Sequence, residues 1–319
     1  MAMLRKRNPF SKLNNDTGFS TNSQDKEGGR FINKDGSYNL VKVGIPFRRR
    51  FSVFHNMLNL PVWKFISVIF IFFIVINLIF TAIYFIIGPE QLEGMIEGSS
   101  WKIFREIFYF STQTFTTVGY GHVNPVGDAA NIVAGAEALT GFLSLAIATG
   151  LIYGRFSKPQ SYLVFSEQAL ISPYKDGKAL MFRFAAYKDK HTLTDLEIRV
   201  NTGLLITEND KTAYQFFSLN LERTKVESMP LSWTVVHPID ESSPFYNFTE
   251  EDMKAADAEL YVSLRGFDDV FSNTVQQRTS YTYKEIIFDR KFIPMYRESE
   301  DGTTTILELH KLNMHKEIK

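Results

Sequence analysis

Cysteine is missing from all 319 residues. Neither a disulfide framework nor a thiolate metal site is therefore available. Net charge is missing too, since 35 Lys and Arg balance 35 Asp and Glu. That balance makes a nucleic-acid partner a poor expectation. The six histidines are scattered along the chain. No G-x-G-x-x-G follows a strand-like run, and no nucleophile–base pattern or metal-ligand spacing stands out in the distal half. Neither a nucleotide-sensing Rossmann domain nor an enzyme is expected, and no cofactor is implied. Met1 to Asn59 is polar and holds no apolar core run, which argues against a cleavable signal peptide.

Charge is also absent from one long internal stretch. Phe65 to Pro89 contains no charged residue and is dominated by Ile, Phe and Val. About 20 apolar residues cross a bilayer, so this segment is long enough to span. A second stretch, Ala129 to Phe156, is less apolar, richer in Ala and Gly, and carries Glu137. Small residues allow close helix approach, and mixed polarity suits a protein-facing or water-facing helix. The expectation is a lipid-facing outer helix over Phe65–Ile87 and an inner helix over Asn131–Phe156. Between them, Ser99 to Gln113 reads as a shorter helix with Ser99 or Ser100 as N-cap.

Just beyond that short helix stands the most informative string in the chain: Thr116-Thr117-Val118-Gly119-Tyr120-Gly121. A dehydrated K⁺ needs a cage of oxygens, and four such loops around an axis supply it from carbonyls and a threonine hydroxyl. Thr117, Val118, Gly119 and Tyr120 would provide the K⁺ ligands. Gly119 and Gly121 permit the alternating backbone handedness that lines carbonyls along one side. Glu137 stands alone as an acid on the second apolar stretch, and an intramembrane acid is a functional candidate by default. Irregular backbone at membrane depth is tolerated only inside protein or facing water, and a half-helix C-terminus aimed at a cavity favours a cation there.

Basic residues set the orientation. Arg48, Arg49, Arg50 and Lys64 flank the first span, Arg155 and Lys158 follow the second, and the connecting segment is acidic. The positive-inside rule puts both termini in the cytoplasm of a multi-pass protein of the plasma (inner) membrane. Ser161 to Leu309 alternates short β-rich runs, such as Leu196–Val200 and Glu259–Leu264, with turn signals. That pattern predicts a β-sandwich.

Several motifs together resemble the inward-rectifier potassium channels, most closely their prokaryotic branch. They are Arg30-Phe31-Ile32-Asn33-Lys34-Asp35-Gly36, Phe51 to Trp63-Lys64, Thr149 to Pro159, and His237-Pro238-Ile239-Asp240-Glu241-Ser242-Ser243-Pro244. The resemblance implies a membrane α + β homotetramer. Each subunit would contribute an outer helix, pore helix, filter and inner helix, with a cytoplasmic immunoglobulin-like β-sandwich that extends the pore. It divides the chain into a flexible tail 1–29, a strand and interfacial slide helix 30–64, a pore domain 65–158, a β domain 159–310 and a tail 311–319.

The resemblance also assigns roles. Leu145 and Tyr153 would form inner-helix constrictions; eight residues apart, they share a helix face within roughly 80°. The girdle loop Val270, Phe271, Ser272, Asn273, Thr274 and Val275 would narrow the cytoplasmic pore, with Asp269 and Asp195 as acidic lining. Strong rectifiers place an acid where Leu145 stands, so rectification by Mg²⁺ or polyamine is expected to be weak, with Ba²⁺ a possible pore blocker. The resemblance places Thr116, Gln113 and Glu137 behind the filter as its support; Gln113 replaces the family's acid there, and a substitute network through its amide is expected. Anionic lipid, as phosphoinositide in relatives, would meet Trp63, Lys64, Arg155, Lys158 and Arg48–Arg50. The alternative is a poorly conducting membrane cation sensor that signals through its cytoplasmic domain.

Overall fold

Pro61 separates two helices at the start of the apolar region. The residue before a proline is driven out of the helical well, and Leu60 is extended, with φ −64° and ψ 148°. It closes α1 (Val53–Asn59), whose Ser52 hydroxyl accepts from the His55 amide. The uncharged run then forms α2 (Val62–Ile87), 26 residues long, or roughly 39 Å at 1.5 Å per residue. These elements belong to a computed structural model that describes residues 8–14, 30–46, 49, 51–96, 98–189, 192–208, 211–229 and 231–318. Arg48 and Arg50, expected at a lipid surface, lie outside the described residues.

The short helix α3 (Ser100–Phe115) has 16 residues and is too short to cross about 30 Å of hydrocarbon. The second long helix is α4 (Asp128–Phe156), 29 residues. Two-residue strands β1 (Leu92–Glu93) and β2 (Asn124–Pro125) pair antiparallel between them. Gly127 offers no side chain to cap α4, and the Gln91 side chain serves instead, accepting from the Ala130 amide at 3.3 Å. The three helices share one apolar contact, in which Tyr84, Ile107, Phe110 and Ala130 are buried.

Val43–Lys158 forms one compact unit, and Met1–Lys42 with Pro159–Lys319 the other. The second unit holds β3 (Leu163–Phe165), β4 (Ala169–Tyr174), β5 (Gly177–Ala186), β6 (Leu193–Glu208), β7 (Lys211–Ser218), β8 (Lys225–Ser228) and β9 (Ser232–Ile239). A short helix α5 (Glu250–Ala255) precedes β10 (Glu259–Asp268), β11 (Asn273–Thr282) and β12 (Ile286–Phe288). One five-stranded sheet runs β11-β10-β6-β7, with β8 also on β6; the other runs β12-β4-β5-β3, with β9 also on β5. Alternating strand residues from both sheets, among them Leu180, Phe182, Phe184, Ile198, Val200, Leu260, Val262 and Leu264, meet in one core. Two sheets over a shared core make a β-sandwich.

Residues 8–14 and 311–318 hold structure within tails that were expected to be mobile. At the C-terminus, β13 (Arg290–Phe292) pairs with β16 (His315–Glu317), while β14 (Tyr296–Glu298) pairs with β15 (Thr305–Leu307). Leu312 is buried with Ala185 and Met295. The cause is Arg183 on β5, which donates to the carbonyls of Lys311, Leu312 and Met314. Near the N-terminus, Asn8 donates through its amide to the carbonyls of Glu241 and Ser243. The Asn14 amide bonds the Phe216 carbonyl at 2.8 Å. The 30–64 segment also splits: residues up to Lys42 join the β unit, and α1 joins the helical unit.

Candidate functional site

The loop after α3 is pinned to the last turn of that helix. The Gln113 oxygen accepts from the Val118 amide at 3.0 Å and the Gly119 amide at 3.3 Å, and Thr117 donates to Thr114. Gln113 therefore supports the loop through its main-chain carbonyl. Thr116 turns its hydroxyl back to the Thr112 carbonyl at 2.7 Å. Farther on, the Asn124 side chain donates to the Gly121 carbonyl at 3.1 Å.

Backbone handedness alternates along the loop. Thr117, Gly119 and Gly121 have φ of 60°, 51° and 79°. No neighbouring atom lies where a side chain would grow from Gly119 or Gly121, so dihedral freedom and not space demands glycine. Thr117 is a β-branched residue in the left-handed region, a conformation that persists only when its surroundings impose it. Val118 and Tyr120 are 53% and 80% exposed in the single chain.

An apolar cavity of about 510 Å³ lies against the start of this loop, lined in part by Met57, Phe73, Thr116, Thr117, Leu145 and Leu151. Leu145 and Tyr153 both project from α4 and are exposed. Glu137 is fully buried on the same helix, accepting from the Tyr84 hydroxyl at 2.8 Å and from Ser111. A methyl at Gly141, one turn on, would overlap the Phe115 carbonyl oxygen.

The basic residues at the ends of the spans differ in surroundings. Arg155 donates to the Leu60 carbonyl at 2.6 Å and lies 5.3 Å from the Phe65 ring centre. Lys158 donates to the Asn59 side chain at 2.9 Å. Trp63, Lys64 and Arg49 are exposed.

In the β unit, the turn that carries the His237–Pro244 motif is organised by His237. Its Nδ1 donates to the Asn220 carbonyl at 2.6 Å and its Nε2 accepts from Ser243 at 2.8 Å. Burial pushes this imidazole below its ordinary pKa, in keeping with a neutral ring. The proposed girdle is shorter than expected. Asn273, Thr274 and Val275 are strand residues, and Val275 is buried opposite Gly266. The loop is 269–272, with Val270 and Phe271 exposed and Ser272 at φ 47°. Its shape depends on a residue that sequence reading passed over: buried Asp268 accepts from the amides of Val270 and Phe271 at 3.0 and 3.3 Å. The adjacent Asp268-Asp269 pair was the available signal. Asp269 is exposed. Asp195, at φ 49°, pairs with Lys225 at 3.2 Å.

Two family models match this chain. The model of the inward rectifier potassium channel C-terminal domain covers residues 163–319, and an ion channel model covers 68–158. The inward rectifier potassium channel Kirbac3.1 of Paramagnetospirillum magnetotacticum is 33% identical over 277 residues, 86% of this chain and 91% of its own. The chain belongs to the inward rectifier potassium channel family. G protein-activated inward rectifier potassium channel 2 of Pongo abelii is 27% identical over 298 residues, covering 86% of this chain and 69% of its own. The mouse protein of the same name is 28% identical over 300 residues, covering 86% and 68%. This is a family of ion channels, not of enzymes. In its terms α2, α3 and α4 are the outer, pore and inner helices of a two-span pore, joined to a β-sandwich domain.

Proposed function

We propose that four copies of this chain form a K⁺-selective pore that conducts passively across the plasma (inner) membrane, with both termini cytoplasmic. The observation that carries this reading is the alternation of positive φ at Thr117, Gly119 and Gly121 in a loop at the C-terminus of a half-helix, set between two spanning helices. Carbonyls of Thr117, Val118, Gly119 and Tyr120 would replace the hydration shell of K⁺, with Thr116, Gln113 and Glu137 behind them. Basic residues at the α1, α2 and α4 ends support the orientation.

Gating is assigned to Leu145 and Tyr153 on the inner helix and to the loop around Val270–Ser272, which would close by dewetting. Asp269, exposed, is the better acidic lining candidate; Asp195 is partly neutralised by Lys225. Rectification is weak in this reading because Leu145 brings no charge to the cavity. Anionic lipid headgroups would meet Lys64, Arg49 and Lys158, each worth about 1 kcal/mol near the surface. Arg155, engaged by the Leu60 carbonyl, would exchange that contact for a phosphate.

The test is rubidium-86 uptake into liposomes holding the purified chain, with K⁺ and Na⁺ as competitors and Ba²⁺ as blocker. Uptake displaced by K⁺ but not Na⁺, and stopped by Ba²⁺, is the expected result. Gly119→Ala should abolish that uptake while leaving a tetramer on crosslinking, since the added methyl penalises the left-handed backbone. Persistent flux in Gly119→Ala would remove this loop from the conduction path.

A further inference from the structure

Glu137 is fully buried between helices, yet among the described residues no ion pair includes it. Its carboxyl is met by hydroxyls from two other helices. Tyr84 of the outer helix donates at 2.8 Å, and Ser111 of the pore helix donates to the second oxygen. Ser111 is itself shared. Its hydroxyl also lies 3.1 Å from the Asn77 side-chain oxygen and 3.2 Å from the Asn77 carbonyl. Asn77 is fixed in turn, with its amide donating to the Phe73 carbonyl at 2.7 Å and Thr81 donating to its own carbonyl at 2.7 Å. Ser111 has one hydrogen to give, so its orientation is decided by the carboxyl on one side and the amide on the other.

The spacing turns this cluster into a register lock. On the inner helix, Glu137 and Gly141 are four apart and lie on one face. On the pore helix, Ser111 and Phe115 are also four apart. Glu137 meets Ser111, and Gly141 meets the Phe115 carbonyl so closely that a methyl would overlap it. One contact is polar and the other steric, a helical turn apart. Phe115 is the last pore-helix residue before Thr116 and Thr117. The outer helix backs both points, through the edge-on ring pairs Tyr84–Phe110 at 5.3 Å and Phe73–Phe115 at 5.8 Å.

Building on the channel reading, we propose that Ser111 and Tyr84, gathered on Glu137, and Asn77 behind Ser111 are positioning residues for ion selectivity. They fix the pore helix against the inner helix and so set where the filter carbonyls stand. Slippage by a few tenths of an ångström at Phe115 is passed directly to Thr116 and Thr117. A cage matched to K⁺ then relaxes toward one that admits Na⁺.

The experiment compares K⁺, Rb⁺ and Na⁺ flux in liposomes for the full chain and for Tyr84→Phe, Ser111→Ala and Glu137→Gln, alongside size-exclusion profiles and melting curves. Tyr84→Phe removes one buried oxygen and little volume, so it is the variant most certain to fold. Tyr84→Phe and Ser111→Ala are each expected to assemble and to raise Na⁺ flux relative to K⁺ by about tenfold, one hydrogen bond's worth. Because both bond one carboxyl, the double variant is expected to fall short of the product of the two effects. Variants that assemble and keep the wild-type flux ratio would overturn the inference. Failure of all three to assemble would overturn it too, since the cluster would then hold the fold and not the filter. A wild type that does not distinguish K⁺ from Na⁺ would overturn the channel reading instead.

Discussion

At Arg183, a guanidinium only 3% exposed is met by carbonyls: Leu312 at 2.8 Å, Ile293 at 2.6 Å, Met314 at 3.2 Å, and Lys311. The Phe292 ring lies 4.3 Å from its charge centre. Burial pushes this group down to about 10, still protonated at neutral pH. A planar fork with five donors suits several carbonyls at once, whereas a lysine reaches them from one point. Arg183→Met should cost about 2–4 kcal/mol, because the carbonyls lose their donors together. Arg183→Lys should recover only part of that loss. The check is the melting temperature of each variant together with hydrogen exchange in residues 311–318, which should speed up in Arg183→Met. Exchange unchanged in that variant would mean that the tail is held by β13 alone. Nothing in the local composition of Lys311–Lys319 announces this anchor, since the partner lies about 130 positions earlier in the chain.

Element by element, legibility followed the range of the forces involved. The two spans and the short helix could be read because composition and length are local properties, and their ends moved by only a few residues. Strands such as β6 and β10 alternate apolar residues and were equally plain. The 8–14 segment, the three-residue strands β13 to β16 and the exact extent of the 269–272 loop were not legible, because each rests on one or two distant contacts. The N-terminal segment around Arg30–Tyr38 was legible only by resemblance, and its docking has a chemistry that the motif does not reveal. Phe31 stands edge-on to Tyr214 and Tyr261, and its amide donates to both oxygens of Glu259 at 3.2 Å. The Tyr261 hydroxyl donates to Glu259 at 3.1 Å, Tyr214 bonds Asp257, and Arg30 pairs with Glu285. Burial raises the Glu259 carboxyl to about 7. A raised carboxyl favours the neutral, docked form, so this contribution is complete below about 4.5 and is lost as pH rises through about 7. Lys34, which burial lowers to about 8, titrates higher and with the opposite effect, because its neutral form also favours docking. Protection factors of the amides of residues 31–36 should therefore fall between about pH 4.5 and 7. In Glu259→Gln, which mimics the neutral acid, they should stay level. A wild-type profile that is flat over that range would remove Glu259 from the docking equilibrium.

For the whole molecule, the proposed pore makes charge at one position of the inner helix the control on its response to multivalent cations. Leu145 is exposed in the single chain and lines the cavity next to Thr116 and Thr117. In a four-fold assembly an acid there would place four carboxylates around one axis, and low-dielectric walls strengthen their pull on a divalent ion or polyamine. The native leucines supply no such pull, which leaves the exposed Asp269 as the main acidic attraction in this reading. Wild-type outward flux should accordingly fall little when Mg²⁺ or spermine is added on the cytoplasmic side. Leu145→Asp should make that block at least about tenfold tighter and voltage-dependent, the equivalent of roughly 1.4 kcal/mol. Leu145→Asn, of similar size but uncharged, should leave the block near wild type, so the two variants separate charge from shape. Equal block in all three would place Leu145 against protein and not against the conduction path, and the constriction would then rest on Tyr153, farther along the same helix.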